Sequence, residues 1–366
     1  MGPLLSSSLR ILAVSRMYHG RNDYSFVRAF RRAGHSVLAE SIDCFFPVWE
    51  QLGLRVLKRM LTPVLVGEFN RALIRQATHL RPDLFFVFKG QYVTPTTLAA
   101  IKATGAIAIN FFPDTGFADD GRYLPKTIGQ YDWVFTTKPA GVQDLAENYG
   151  FANATFLPHA FDPEAHHPVR LDDQDRERFE CDVCFVGFPT PKKQRILSEI
   201  HTRLPDIKMR IWGPRTWRTV RGLATVYQGA PVWGTEYAKA ILASKITLGL
   251  LSEGGPSAPF GDVITARTFE IPGAGGFMLH ERTEEALHYF EEETECAYFS
   301  DTEDLVGKIR YYLDRPDERT GIAATGRQRA LSSGYSVDDR IATVLDKYAE
   351  LRRTQLAADH RAPGSL

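Results

Sequence analysis

Short runs of consecutive apolar residues recur through the first half of the chain, with amphipathic segments between them. The run LRILAVS at 9–15 is followed by Phe26, Val27 and Phe30 at helical spacing, and a further strand is predicted at 36–39. The later strands predicted in this half are 84–88, 106–112, 133–136 and 154–157. Uninterrupted apolar strands separated by helices are typical of a doubly wound parallel sheet that is covered on both faces.

The same alternation restarts after a polar stretch at 161–178, which contains two prolines and a run of charges and is predicted to be an interdomain linker. A long helix at 48–79 in the first half is predicted to break near Pro63. The strands predicted in the second half are 182–187, 207–212, 224–228, 246–251, 276–280 and 297–299. The helices predicted there are 194–203, 236–243, 283–290, 301–313, 317–331 and 337–351.

The pattern therefore predicts an α/β fold with two doubly wound, Rossmann-like domains of similar size facing a central cleft. We expect an N-terminal domain at 1–165 and a C-terminal domain at 166–336. Residues 337–366 are expected to form a helix that could pack back on the N-terminal domain, followed by a loose tail. A length of 366 residues agrees with two domains, because single cores rarely grow that far.

Charge and composition remove several classes of function. Lys plus Arg and Asp plus Glu each total 44, so bulk attraction to nucleic acid or to an anionic membrane is not expected. No signal peptide or membrane span is visible, and a cytoplasmic location is the simplest expectation. Cys181 and Cys184 form a CxxC, but residues three apart on a strand point to opposite faces, so no metal site is predicted.

The segment most informative about chemistry is 250–279, where a predicted strand leads through a loop with Gly254 and Gly255 to a helix that starts near Asp262 or Val263. Free amide groups and the positive end of the dipole at a helix start bind anions. Arg267 adds a planar cation that suits phosphate oxygens.

Glu270 lies three residues after Arg267, on the same helix face, where its carboxylate could accept hydrogen bonds from two ribose hydroxyls. The glycine at 275 would let the backbone pass close to a ligand. A surface Arg–Glu pair beside a glycine turn is the alternative, because a glycine-rich loop alone is a weak signal.

Several polar residues follow predicted strands of the first half. Asp114 could orient an acceptor hydroxyl or cap a turn, and His159 could bond the transferred sugar or be structural. His19, Gly20 and Lys89 are the acceptor-side candidates, with a simple turn as the alternative for the first two.

The second half resembles group 1 glycosyltransferases of the spore maturation CgeB-like branch. The resembling stretches are 157–168, 181–195, 209–217, 243–251, 266–279 and 303–331. The last contains KIRYYLDRPDERTGIAATGRQRAL, which is the most specific of them. The first half is similar more loosely, through LRILAVSRMYHGR, GHSV and INFFPDT.

The resemblance implies the GT-B architecture, with an acceptor-side domain at 1–165 and a nucleotide-sugar-binding domain at 166–336. It implies a transferase that uses a nucleotide-diphosphate sugar as co-substrate, with retention at the anomeric carbon, without an essential metal and without another cofactor. It assigns the donor ribose to Glu270, and the diphosphate to Arg267 and to Arg195, with Lys192 or Lys193 as a further contributor beside Arg195. Gly187 and Gly213, after the first two strands of the second half, are expected at the same donor site. A second acidic residue that many relatives carry seven positions before Glu270 has only Asp262 near its register.

The acceptor is not predicted: a polysaccharide, a protein, a lipid-linked intermediate and a small molecule all remain open. A sugar-nucleotide epimerase of the same architecture is one alternative function, and it would require acid/base carboxylates and a His near the sugar. A non-catalytic transferase-like binding subunit is the other. Domain closure about the linker is expected to gate turnover.

Overall fold

The computed structural model describes residues 8–46, 54–118, 121–255 and 261–359. The chain forms two compact units, each built on one parallel sheet. Unit 1 comprises Met1–Tyr18, Asn22–Leu157 and Asp338–Leu366, and unit 2 comprises His19–Arg21 and Pro158–Val337. The boundary between Leu157 and Pro158 therefore lies before the polar stretch at 161–178 and not inside it.

Unit 1 carries six parallel strands in the order β2-β1-β3-β4-β5-β6. The strands are β1 (Arg10–Ser15), β2 (Ser36–Ser41), β3 (Leu84–Phe88), β4 (Ile107–Phe112), β5 (Trp133–Thr136) and β6 (Ala154–Phe156). The helices are α1 (Asn22–Arg32), α2 (Leu54–Leu80), α3 (Pro95–Lys102), α4 (Leu124–Thr127) and α5 (Pro139–Tyr149). β3 is apolar along its length, and β4 is apolar except for the buried Asn110, as central strands with both faces covered require.

Unit 2 carries five parallel strands in the order β11-β10-β9-β7-β8. The strands are β7 (Cys181–Val186), β8 (Met209–Trp212), β9 (Ser244–Gly249), β10 (Met278–Glu281) and β11 (Ala297–Phe299). The helices are α6 (Asp173–Phe179), α7 (Pro191–Arg203), α8 (Gly234–Leu242), α9 (Arg267–Ala274), α10 (Glu284–Leu287), α11 (Thr302–Leu313) and α12 (Pro316–Ser332). Trp217, Leu248, Leu279 and Ile309 belong to its buried core.

The last helix, α13 (Val337–Asp359), lies with unit 1 from Asp338 onward. The guanidinium of Arg32 lies 2.8 Å from the Asp338 carboxylate, and Arg352 donates to the carbonyl oxygen of Gly105. The chain thus leaves unit 1 after β6, builds unit 2 and then returns.

Three local predictions were wrong. Helix α2 continues through Pro63, which it accommodates inside the described segment; its expected start at 48–53 lies outside the described residues. The strand predicted at 224–228 is reduced to a single bridge between Ile211 and Tyr227. The polar stretch at 161–178 is not a solvated linker, because Phe161 and His166 are buried and α6 follows them.

Candidate functional site

Arg267 begins α9, and Glu270 lies one turn into that helix. The helix therefore starts later than the predicted Asp262 or Val263, and the glycine loop does not run directly into it. The guanidinium of Arg267 is held by two strand ends, since Nη1 donates to the carbonyl of Val186 at 3.3 Å and Nη2 to that of Leu250 at 2.9 Å. Two of its five N–H donors are used in this way, and its buried Nε has no hydrogen-bond partner among the described residues.

The N-terminus of α7 brings a second cation to the same place. Thr190 caps the helix, and Pro191 occupies its first turn. Lys193 is 2% exposed and donates from Nζ to Ser252 Oγ at 2.8 Å. Burial, and then the nearby charge of Arg267, lower the pKa of Lys193 to about 7. A buried lysine and a half-buried arginine therefore converge beyond the carboxyl ends of β7 and β9.

Sequence reasoning put Arg195 first and named Lys193 as an alternative. Arg195 is exposed on α7, whereas Lys193 shares the buried face of that helix with Ile196, Leu197 and Ile200. Those spacings of three, four and seven residues were visible in the sequence and signalled a buried lysine.

Carboxylates hold this basic cluster in place. Glu253 Oε1 accepts the amide of Lys192 at 2.8 Å, so a carboxylate occupies the N-terminal end of α7. Asp262 Oδ2 accepts the amide of Ser252 at 3.1 Å and closes the loop between them. Glu281 pairs with the ammonium of Lys192 and accepts the amide of Leu251 at 2.7 Å.

A buried histidine, which sequence reasoning missed, connects α9 to β10. His280 Nδ1 donates to the carbonyl of Glu281 at 2.6 Å, and Nε2 lies 2.9 Å from the hydroxyl of Thr268. Burial lowers the pKa of His280 to about 4, so the ring is neutral near pH 7. A side chain on Gly249 would collide with this ring, because a Cβ there would lie 2.2 Å from Cδ2. The residue after Arg267 is thereby fixed to the sheet.

Glu270 is buried, with 7% of its surface exposed, beside two residues that sequence reasoning did not connect with it. His166 Nε2 lies 4.0 Å from Glu270 Oε1, and the ring of Tyr237 meets that of His166 edge-on at 5.6 Å. His166 lies in the polar stretch that the sequence predicts to be a linker, where we expect solvated side chains, and that expectation is wrong for this residue because it is 2% exposed. His159 is also buried and belongs to unit 2.

The predicted glycines fall into two groups. Gly187 and Gly213 allow close approach of the loops after β7 and β8: a Cβ on Gly213 would lie 2.3 Å from the carbonyl oxygen of Gly187. Gly254 and Gly255 are exposed in the loop after β9. Gly275 ends α9 in the left-handed region with φ of 91°, at the opposite end of that helix from Arg267.

The acceptor-side candidates are divided between the two units. Lys89 and Asp114 form an exposed ion pair in unit 1, with Nζ 2.6 Å from Oδ2. His19 and Gly20 cluster with unit 2, where a Cβ on Gly20 would lie 2.0 Å from the amide nitrogen of Gly234. The structure thus groups these two residues with the donor candidates instead of with Lys89.

Cys181 and Cys184 are buried free thiols. A hydrogen bond to Cys181, together with burial, raises the pKa of the Cys184 thiol. Within the described ranges, His, Cys, Asp and Glu side chains form no cluster of three or more that could hold a metal ion.

Two parallel α/β sheets, with the charged cluster at the strand ends of the second, define the GT-B fold of glycosyltransferases. Residues 192–346 match the model of the family described as "Glycosyl transferase-like". A glycosyltransferase from Rickettsia africae has a similar structure, with a TM-score of 0.65 and 14% identity, over 94% of this chain and 98% of that one. No curated protein sequence matches the chain significantly.

Two further structures show what else this fold accommodates. Anabaena HepE in complex with UDP-glucose superposes with a TM-score of 0.58 and 12% identity, over 94% of this chain and all of that one (100%). A putative UDP-N-acetylglucosamine 2-epimerase from Listeria monocytogenes does so with a TM-score of 0.53 and 10% identity, over 94% and 97%. Among the described helices, none has the length and apolar character that crossing a bilayer requires.

Proposed function

We propose that the protein is a glycosyltransferase that takes its sugar from a nucleotide-diphosphate donor bound by unit 2. The observation that carries the proposal is the convergence of Lys193 and Arg267, both held by strand ends or loops, next to the buried carboxylate of Glu270. Two cations beside a carboxylate match a diphosphate joined to a ribose. The UDP-glucose complex of HepE supports the same class of donor.

In this proposal the cations do most of the chemical work. Lys193 and the free Nε–H of Arg267 neutralise the charge that develops on the departing diphosphate. Because both are already fixed before the reaction, little reorganisation is required at the transition state. Retention of the anomeric configuration, independence from metal and the assignment to the CgeB-like branch are parts of the proposal that come from the sequence resemblance.

The residues proposed for the acceptor are more exposed. Asp114 would orient an acceptor hydroxyl while its carboxylate stays paired with the ammonium of Lys89. His159 would bond the transferred sugar from its buried position in unit 2. The acceptor itself is unidentified, and a cytoplasmic location remains a prediction from the sequence.

An epimerase is the second candidate, favoured by the structural similarity to the Listeria monocytogenes protein. The two functions differ in their products. A transferase with its acceptor releases a nucleoside diphosphate and a glycosylated product, whereas an epimerase that keeps its substrate intact returns a nucleotide sugar of changed configuration.

The test is a panel of UDP-, GDP-, ADP- and dTDP-sugars, assayed for nucleoside diphosphate release with and without candidate acceptors. Glu270→Ala is expected to weaken donor binding by about 10- to 100-fold, because it removes two hydrogen bonds to a charged group, about 1–3 kcal/mol in total. Glu236→Ala, which removes an exposed carboxylate of the same unit, is the matched control. Binding of no nucleotide sugar in the panel by the wild-type protein would overturn the proposal.

A further inference from the structure

His166 lies in the segment that opens unit 2, and its ring is held by a turn of its own backbone. The amide of His166 donates to the carbonyl of Asp162 at 2.7 Å, and the amide of Asp162 donates to His166 Nδ1 at 3.0 Å. The amide of Glu164 bonds Asp162 Oδ1 within the same turn. These reciprocal bonds fix the direction in which the imidazole points.

The bond to Nδ1 also fixes the tautomer. A ring nitrogen that accepts a hydrogen bond from a backbone amide carries no proton, so the proton of the neutral imidazole lies on Nε2. That nitrogen lies 4.0 Å from Glu270 Oε1, which is longer than a hydrogen bond but within electrostatic reach. His166 therefore directs an N–H dipole toward the carboxylate.

Tyr237 packs against His166 at the same buried carboxylate. Its ring meets the imidazole edge-on, and burial, followed by the charge of Glu270, raises the pKa of its hydroxyl. A carboxylate in such surroundings has little freedom, because the polar groups that compensate its charge have fixed positions.

We propose that His166 is a positioning residue for donor recognition: its Nε2–H fixes Glu270 so that the carboxylate faces the ribose hydroxyls of a nucleoside diphosphate. This inference rests on the proposed function. It assigns a role to a residue of the polar stretch, eight positions after Pro158, where the main segment of unit 2 begins.

The test separates the two nitrogens of the ring. In His166→Asn the side-chain oxygen can still accept the amide of Asp162, but the donor toward Glu270 is lost. In His166→Gln the amide nitrogen can replace Nε2–H. Binding of UDP, dUDP, GDP and dGDP is measured by calorimetry for each variant, and melting temperatures report the fold.

His166→Asn is expected to weaken binding of the preferred ribonucleotide by about 3- to 10-fold, because the N–H dipole that faces the carboxylate is lost, and to change the deoxynucleotide by less than about twofold. His166→Gln is expected to keep the ribo/deoxy preference. In a Glu270→Gln background His166→Asn is expected to have no further effect, since the partner is gone.

Equal losses for ribo- and deoxynucleotides, or additive effects in the double variant, would mean that His166 only supports the fold, and would overturn the inference. If His166→Asn does not fold, the test rests on His166→Gln, and a changed ribo/deoxy preference in that variant would also overturn the inference. A wild-type protein that binds none of the four nucleotides contradicts the proposed function itself. Wild-type binding with no ribo/deoxy preference contradicts only the inference.

Discussion

Units 1 and 2 have the same architecture, a parallel sheet covered by helices. They differ in how exposed the candidate charged side chains are at the carboxyl ends of their strands. In unit 1 the polar candidates Lys89 and Asp114 form an ion pair with side chains 32% and 47% exposed. In unit 2 Lys193, Glu270 and His280 are 2%, 7% and 0% exposed. The sheet supplies an edge in both units, but unit 2 buries its candidate residues there, whereas the candidates of unit 1 are exposed, although Asp23 and Lys138 are buried near the same edge.

Burial changes what such groups can do. An exposed ion pair contributes little to stability or binding, because water and salt screen it. A buried cation interacts strongly with an incoming anion, but it is costly to keep charged in the folded protein. The buried groups of unit 2 are therefore expected to lower its stability at a pH where they must become charged in the folded protein. The same groups are expected to raise its affinity for an anionic ligand.

The largest expected effect is on the acid stability of unit 2. The pKa of His280 is about 4 in the folded protein against an ordinary 6.5, so the unfolded chain binds more protons between these values. The free energy of unfolding is expected to fall as pH falls through this window, by about 3 kcal/mol in full. Urea denaturation of the wild type and His280→Gln, at about pH 7 and about pH 4.5, measures it.

The matched histidine of unit 1 is His35, which accepts the amide of Leu9 and is only half-buried. Burial lowers its pKa as well, but His35→Gln is expected to change the pH dependence less than His280→Gln does. Equal pH dependence in the wild type and His280→Gln would show that the comparison between the units is wrong at this point.

Next in size is the effect of removing each unit's lysine. Lys193→Met is expected to weaken nucleoside diphosphate binding by about 10- to 100-fold, since a charge-assisted contact is lost, while stability stays equal or rises because an apolar side chain replaces a buried amine. Lys89→Met is expected to change binding by less than about twofold. Calorimetry measures the binding of both variants, and urea denaturation measures their stability. Similar losses of binding in the two variants would contradict the assignment of the donor to unit 2.

Binding to unit 2 is also expected to depend on pH. The pKa of Lys193 is about 7 without a ligand, and a bound diphosphate would raise it. Affinity is then fully present below about pH 7 and falls above it, by up to about tenfold per pH unit until the raised pKa is passed. Lys193→Arg is expected to flatten the profile, because a guanidinium stays charged. A profile that Lys193→Arg leaves unchanged would assign the titration to another group.

The smallest effect is expected at Glu253, whose carboxylate occupies the N-terminal end of α7. Glu253→Gln keeps an oxygen for the amide of Lys192 but removes a negative charge near the proposed diphosphate, so affinity is expected to rise by about threefold. Glu303→Gln, at a carboxylate paired with Arg203 at the far end of α7, is the control. Weaker binding in Glu253→Gln would indicate that Glu253 contacts the ligand directly.

The sheet architecture was predictable from the sequence because strands buried on both faces are apolar throughout. The segment LFFVF of β3 and the run IAINFF of β4 carry this signal without help from distant residues. The segment at 224–228 was wrongly predicted to be a strand. A short stretch pairs along its length only if a neighbouring strand edge is available, and here only one bridge forms, between Ile211 and Tyr227. Pro63 was misjudged because a helix can absorb one missing hydrogen bond when its flanks are well packed.

The site was predictable only where local pattern carries the information. Arg267 and Glu270 were identified because their three-residue spacing fixes a shared helix face. Glu281 and His280 were missed because their partners, Lys192, Leu251 and Thr268, are brought to them by sheet order and not by sequence separation. His166 was misjudged because polar composition predicts exposure, whereas a turn that satisfies its own amides can be buried.

The return of the chain to unit 1 has a consequence for biosynthesis. Helix α13 packs with strands that leave the ribosome long before it, so the first unit cannot complete its core until nearly the whole chain has been translated. Unit 2, which is almost contiguous from Pro158 to Val337, can fold while the earlier strands still wait for their last helix. During that interval the nascent chain exposes apolar surface on its N-terminal half, which is where a chaperone would be expected to act.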